Sequence, residues 1–158
     1  MSYTTKDSGD RAILPGGMVR DTENSKPRWD LIPNELFDLC VMTPENQHFI
    51  QAFRNWQETG ENPELVINRL IDLECMGDRV SFYARVAELM MRGAEKYCEW
   101  NWRKGVAGEV LERYQRSADR HFKQYLAGEK TEDHAAAVFF NINGVVYVSA
   151  ELQKPRKD

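Results

Sequence analysis

The chain has 158 residues, 42% of them hydrophobic, and a formal net charge of −4, which suits one domain with a real core and excludes a chain disordered throughout. With no global basic field, holding duplex nucleic acid by counterion release is excluded as the default function. Cys40, Cys75 and Cys98 are widely spaced and form no CxxC pair, which argues against a disulfide framework or a zinc ribbon and fits a reducing cytoplasm.

In chain order, MSYTTKDSGDRAILPGG has no apolar core of signal-peptide length, and no later stretch approaches the roughly 20 apolar residues of a membrane span. The expectation is a soluble, cytoplasmic protein without a membrane partner. Residues 1 to 33 are rich in Gly, Pro, Ser, Asp and Lys and follow neither hydrophobic period, so they read as an extended N-terminal arm. The close mixing of Trp29, Leu31 and Ile32 with charges suggests that the arm docks.

From residue 34 to 158 the pattern is that of a single α-helical domain. Leu36, Phe37, Leu39 and Cys40 share a helix face that Pro44 ends, and Asn46 is positioned to cap a segment carrying Phe49, Ile50, Phe53 and Trp56. Asn62-Pro63 starts the next helix, with Leu65, Val66, Leu70, Ile71 and Leu73 as its stripe. Residues 78 to 97 are again helical, CEWNWRKG breaks the chain, and a long helix is predicted over 106 to 126 with Gly128 as its stop. Thr131 is the expected cap of the last helix, with Glu132 and Asp133 in its first turn. VFFNINGVVYV, residues 138 to 148, has strand-like content, but its capped, alanine-rich start favours a buried helix. The fold class is all-α: a bundle of four to six helices with an extended N-terminal arm, its core formed by the last two or three helices.

Three clusters can carry chemistry. Glu88 and Glu95 lie two turns apart, so both carboxylates can leave one face, as for a divalent metal or as an ordinary solvated face. Gly93 allows close approach of another backbone, and Lys96 is a cation that could meet a phosphate. On the long helix, Arg113, Arg116 and Arg120 line up with Ser117 and His121. Such a stripe suits triphosphate oxygens, or pairs with Glu109 and Glu112 on the same helix. The third cluster is GEKTEDHAAAVFFNING: capping explains Glu132 and Asp133, but His134, Asn141 and Asn143 sit inside an apolar run and need partners, either one another or a ligand. In the arm, Arg20, Lys26 and Arg28 around Trp29 can bring cations to phosphates and an aromatic face to a base.

Together, MVRDTENSKPRWDLIP, GAEKYCEWNWRKG and RHFKQYLAGEKTEDHAAAVFFNING resemble a phage-encoded family described as a dATP/dGTP diphosphohydrolase domain, related in proposed function to MazG-like all-α nucleotide pyrophosphohydrolases. The resemblance spans nearly the whole chain except about residues 42 to 77, which look like a variable helical hairpin. It implies metal-assisted cleavage of a purine deoxynucleoside triphosphate to the monophosphate plus pyrophosphate, with Mg²⁺ or Mn²⁺ as cofactor and a homodimer or homotetramer as the assembly. Carried onto this chain, the implied metal ligands are Glu88, Glu95, Glu132 and Asp133, with Glu129 as an outsider. Glu95, Asp133 and His134 are the implied catalytic groups. The implied substrate-binding residues are Arg20, Lys26, Arg28, Lys96, Trp100, Asn101, Trp102, Lys104, Arg120, His121 and Asn141. The chain departs from the MazG-type pattern of ExxE followed by ExxD, of which it holds no clean copy. The competing reading is a non-catalytic helical phage protein that binds a nucleotide or a host protein.

Overall fold

A computed structural model describes residues 3–23 and 26–156. Residues 1, 2, 24 and 25 of the predicted arm and residues 157 and 158 of the predicted domain lie outside the described residues. The described chain runs β1 (Arg11–Leu14), β2 (Met18–Asp21), α1 (Asn34–Val41), α2 (Gln47–Thr59), α3 (Pro63–Cys75), α4 (Arg79–Lys96), α5 (Gly108–Leu126) and α6 (His134–Gln153), with short 3-10 turns at Trp29–Leu31 and Asn101–Arg103. The all-α expectation holds, with one addition: part of the arm is an antiparallel hairpin that pairs Arg11 with Asp21 and Leu14 with Met18. The Pro15-Gly16-Gly17 tripeptide turns it, and Gly17 N–H donates to Leu14 C=O at 3.0 Å. Gly16, at φ +88°, faces the Lys104 carbonyl so closely that a Cβ there would lie 1.9 Å from the oxygen. Hairpin and loop fit together only because that position is glycine.

The core is centred on the packing of α5 against α6. Tyr114, Ala118 and Phe122 meet Ala136, Val138, Ile142 and Val148, all fully or almost fully buried. Gly144 makes this approach possible, since a Cβ on it would stand 2.4 Å from the Tyr114 ring. The stretch 138 to 148 is thus helix, its strand propensity overridden by burial of one face against the bundle, while Val146 stays exposed. By length and composition α6 passes the test for a membrane-crossing helix, with half of its apolar window buried inside the bundle. That corrects the expectation that no stretch approaches a span; burial around the bundle accounts equally for its apolar character.

Residues 42 to 77 are no appendage. Phe53 stacks on Phe122 at 3.9 Å with planes 12° apart, and Val66, Leu70 and Ile71 are buried in the same core. Several local expectations are corrected. Leu36 and Leu39 of α1 stay exposed, and α1 is held instead by Arg54 on Asp38. Asn46 makes no side-chain bond to its helix; it bonds Thr43 reciprocally and the Val41 carbonyl. The cap of α6 is Asp133, not Thr131: its carboxylate accepts the Ala136 N–H at 3.1 Å, so Glu132 precedes the helix.

Candidate functional site

Lys123, with no exposed surface, anchors the end of the arm to α5: its Nζ donates to the Ile32 carbonyl at 2.6 Å and pairs with Asp119 at 2.9 Å. The hairpin is anchored at Asp21. Lys96 and Tyr97 of the α4 end donate to its carboxylate at 2.6 and 2.9 Å, Arg11 adds a bond of 2.9 Å, and Arg113 of α5 donates to its backbone carbonyl. Burial alone would raise the Asp21 pKa, but the bonds from Lys96 and Tyr97 hold it below the usual carboxylate range. Two residues earlier on β2, Asn101 pairs with Val19 like a strand neighbour, accepting its N–H at 2.9 Å and donating to its carbonyl at 2.8 Å.

These anchors leave a cavity between β2, α4, α5, α6 and the loop at 98 to 102. Seven lysines and arginines line it against four carboxylates. Three of the four are already engaged: Asp21 as above, Glu23 with Arg116 at 3.1 Å, and Asp133 with Arg85 at 2.7 Å. The fourth, Glu132, accepts the Lys6 N–H at 3.3 Å. The cations, by contrast, crowd one another. Burial first, then Arg120, pushes the Lys26 amine down to about 8. Burial likewise lowers Arg113, with Arg20 adding repulsion, and Arg120. Desolvated cations held together without matching carboxylates make an anion site.

Five buried side-chain N or O atoms lack a hydrogen-bond partner among the described residues, and four of them belong to residues that line this cavity: Arg20 NH1, Arg113 Nε, Trp102 Nε1 and Asn141 Oδ1. Each is a group whose isolation costs about 1 to 3 kcal/mol. Three are donors and one is an acceptor, and apolar groups of Met18, Leu89, Met90 and Phe140 share the walls. Such an arrangement suits a molecule with an anionic end, a flat apolar body and at least one N–H or O–H.

Of the substrate residues predicted from sequence, Arg20, Lys26, Lys96, Trp100, Asn101, Trp102, Arg120, His121 and Asn141 line the cavity. Arg28 and Lys104 do not: the first pairs with Asp30 at 2.7 Å and the second faces Cys98 Sγ at 3.2 Å. Asn101 is spent on the Val19 backbone. The five carboxylates do not converge. Glu88 and Glu95 are exposed on α4 outside the cavity, Glu129 bonds Thr131 and His134, and Asp133 is both cap and partner of Arg85. Among the described residues no three His, Cys, Asp or Glu side chains gather as a metal site. The carboxylates present therefore do not fit a protein-held Mg²⁺ or Mn²⁺ cluster. Gly93 faces open cavity rather than a second backbone. Sequence reasoning passed over Asp21, Arg85 and Arg92; the RD step at 20 and 21 and the PGG turn were the available signals.

Beneath the cavity floor, Arg120 NH2 lies 3.2 Å from His121 Nε2, His121 Nδ1 lies 2.9 Å from His134 Nδ1, and His134 Nε2 meets Glu129 Oε2. Burial, then Arg120, holds the His121 pKa far below its ordinary value. Burial would raise Glu129, but bonds from Thr131 and His134 bring it to about 2.

A protein-family model described as dATP/dGTP diphosphohydrolase, N-terminal, matches residues 68–158. The chain belongs to this family. The matched stretch supplies α4, α5, α6 and the 98 to 102 loop, whereas the hairpin wall lies outside it. The family name carries a diphosphohydrolase activity on purine deoxynucleotides. No curated protein and no solved structure matches the chain.

Proposed function

We propose that the cavity binds a purine deoxynucleoside triphosphate, dGTP or dATP, and that the protein hydrolyses it to the monophosphate and pyrophosphate. The observation that carries this reading is that four unpaired polar atoms belong to residues lining one cation-rich cavity. Arg20, Arg113, Arg120 and Lys26 take the phosphates, where guanidinium forks match paired oxygens and stabilise charge that builds up as pyrophosphate leaves. Trp102 and the apolar wall take the base, and Asn141 accepts a hydrogen bond from it. The family name supports this substrate class. Mg²⁺ or Mn²⁺ is assigned to the nucleotide, arriving as the counter-ion of its triphosphate.

The engaged carboxylates favour a second reading, in which the protein holds the nucleotide without cleaving it. Purified protein with dGTP, dATP, dCTP or dTTP and either metal separates the two, with products resolved by chromatography and binding followed by melting temperature. Monophosphate and pyrophosphate from a purine nucleotide establish the hydrolase. A purine-specific rise in melting temperature without product establishes the binding protein. Neither product nor stabilisation overturns both.

A further inference from the structure

Arg120, His121, His134 and Glu129 form an unbroken hydrogen-bonded line from the cavity to the loop before α6. Its protons can be placed in one way. A guanidinium has donors and no acceptor, so His121 Nε2 accepts. Neutral His121 then carries its proton on Nδ1 and donates it to His134 Nδ1. His134, in turn, has its N–H on Nε2 and gives it to the Glu129 carboxylate. Any other assignment sets two donors or two lone pairs face to face at one of the contacts. The burial of His121 favours its neutral form, as this arrangement requires.

We propose that Glu129, which does not line the cavity, is a positioning residue for Arg120, acting through His134 and His121 to fix how the guanidinium faces a bound polyphosphate. The carboxylate selects the His134 tautomer, which selects the His121 tautomer, which presents the acceptor that seats Arg120. Without the carboxylate, His134 is free to carry its proton on Nδ1. His121 Nδ1 must then accept, its own proton moves to Nε2, and that N–H points at an Arg120 N–H. Donor against donor, the guanidinium loses its seat. The effect on ligand rests on the anion-site reading above; the tautomers do not.

Two measurements on the full chain test this. Long-range ¹H–¹⁵N spectra of histidine-labelled protein read the tautomers directly: His121 is expected as Nδ1–H and His134 as Nε2–H. Calorimetry with tripolyphosphate, without added metal, reads the anion site. Glu129→Ala is expected to lose the His134 Nε2–H tautomer and to bind tripolyphosphate about tenfold more weakly, the loss of roughly one hydrogen bond. Glu129→Gln keeps one accepting oxygen where the carboxylate offers one to Thr131 and one to His134, so its binding is expected to follow the His134 tautomer: within about twofold of the wild type where Nε2–H is kept, and as weak as the alanine variant where it is lost. Wild-type protein with either histidine in the other tautomer overturns the inference even if no variant folds. Tripolyphosphate binding by Glu129→Ala at wild-type strength also overturns it, as does a Glu129→Gln that keeps both tautomers yet binds as weakly as the alanine variant. Failure of the wild type to bind tripolyphosphate sinks the anion-site reading instead, and the role assigned to Glu129 in seating Arg120 for a ligand with it.

Discussion

Arg85 on α4 grips Asp133 at the start of α6 with two hydrogen bonds, Nε to Oδ2 at 2.8 Å and NH2 to Oδ1 at 2.7 Å. The same guanidinium reaches Glu74 of α3 at 2.9 Å, so one side chain ties three helices. Asp133 is 3% exposed. Removing its charge leaves a largely buried arginine short of its main partner, a change that costs about 3 kcal/mol. Asp133→Asn is therefore expected to lower the unfolding free energy by that amount, which moves the urea midpoint down by about 1 to 3 M, while the folded fraction keeps its specific activity. An unshifted midpoint with turnover gone would return Asp133 to the chemistry.

Gly144 leaves no room for a methyl group against Tyr114. The ring cannot swing away, because its hydroxyl donates to the Trp102 carbonyl at 3.2 Å and its edge packs on Phe140. Gly144→Ala forces the α5–α6 pair apart and is expected to destabilise by about 1 to 3 kcal/mol in thermal unfolding, although alanine is the better helix former. A variant as stable as the wild type would show that the two helices have slack.

His121 makes stability depend on pH. Burial first and Arg120 second keep it neutral in the fold, while in the unfolded chain it titrates near 6.5. Below that pH the unfolded chain binds a proton that the folded chain refuses, so stability is full above about 6.5 and falls as pH drops. Glu129, held at about 2, stays charged in this window and adds its own loss only below about 4.5. The melting temperature should begin to decline near pH 6.5 in the wild type and distinctly lower in His121→Gln. Coincident onsets in the two proteins would rule His121 out as the cause.

Asn141 donates to the Ala137 carbonyl at 2.8 Å but leaves its own oxygen bare. Asn141→Leu removes a stranded acceptor, so the ligand-free protein should gain about 1 kcal/mol. Affinity for dGTP or dATP should fall about tenfold. Melting curves with and without nucleotide check both; a variant that loses stability alone would make the asparagine a structural residue.

The sequence made the helices legible because each kept its apolar stripe and most kept a recognisable stop. The hairpin was missed because four-residue strands are too short for a period to emerge, and only the PGG turn announced them. The cavity was half legible. Arg120, His121 and Asn141 stood out as polar groups in helical register, but register left them free to face solvent, and it was the family resemblance that pointed them to a site. The carboxylates misled because spacing along one helix says nothing about what crosses it: Arg85, 48 positions earlier, claims Asp133, and Glu88 points its charge to solvent. Asp21 was passed over, with only the RD step to mark it, because its partners Lys96, Tyr97 and Arg113 lie at least 75 residues downstream.

That last separation bears on how the protein comes into being. Residues 18 to 23 leave the ribosome well before the helices they dock on, and at about 5 to 20 residues per second α5 is complete several seconds after Asp21 has been made. Until then the Asp21 carboxylate has neither Lys96 nor Tyr97, and Met18 and Leu14, both buried in the finished fold, stand in water. The hairpin, made early, is among the last parts to reach its place, so a chain stalled before α5 would hold β2 and α4 without the α5 and α6 faces that complete the cavity.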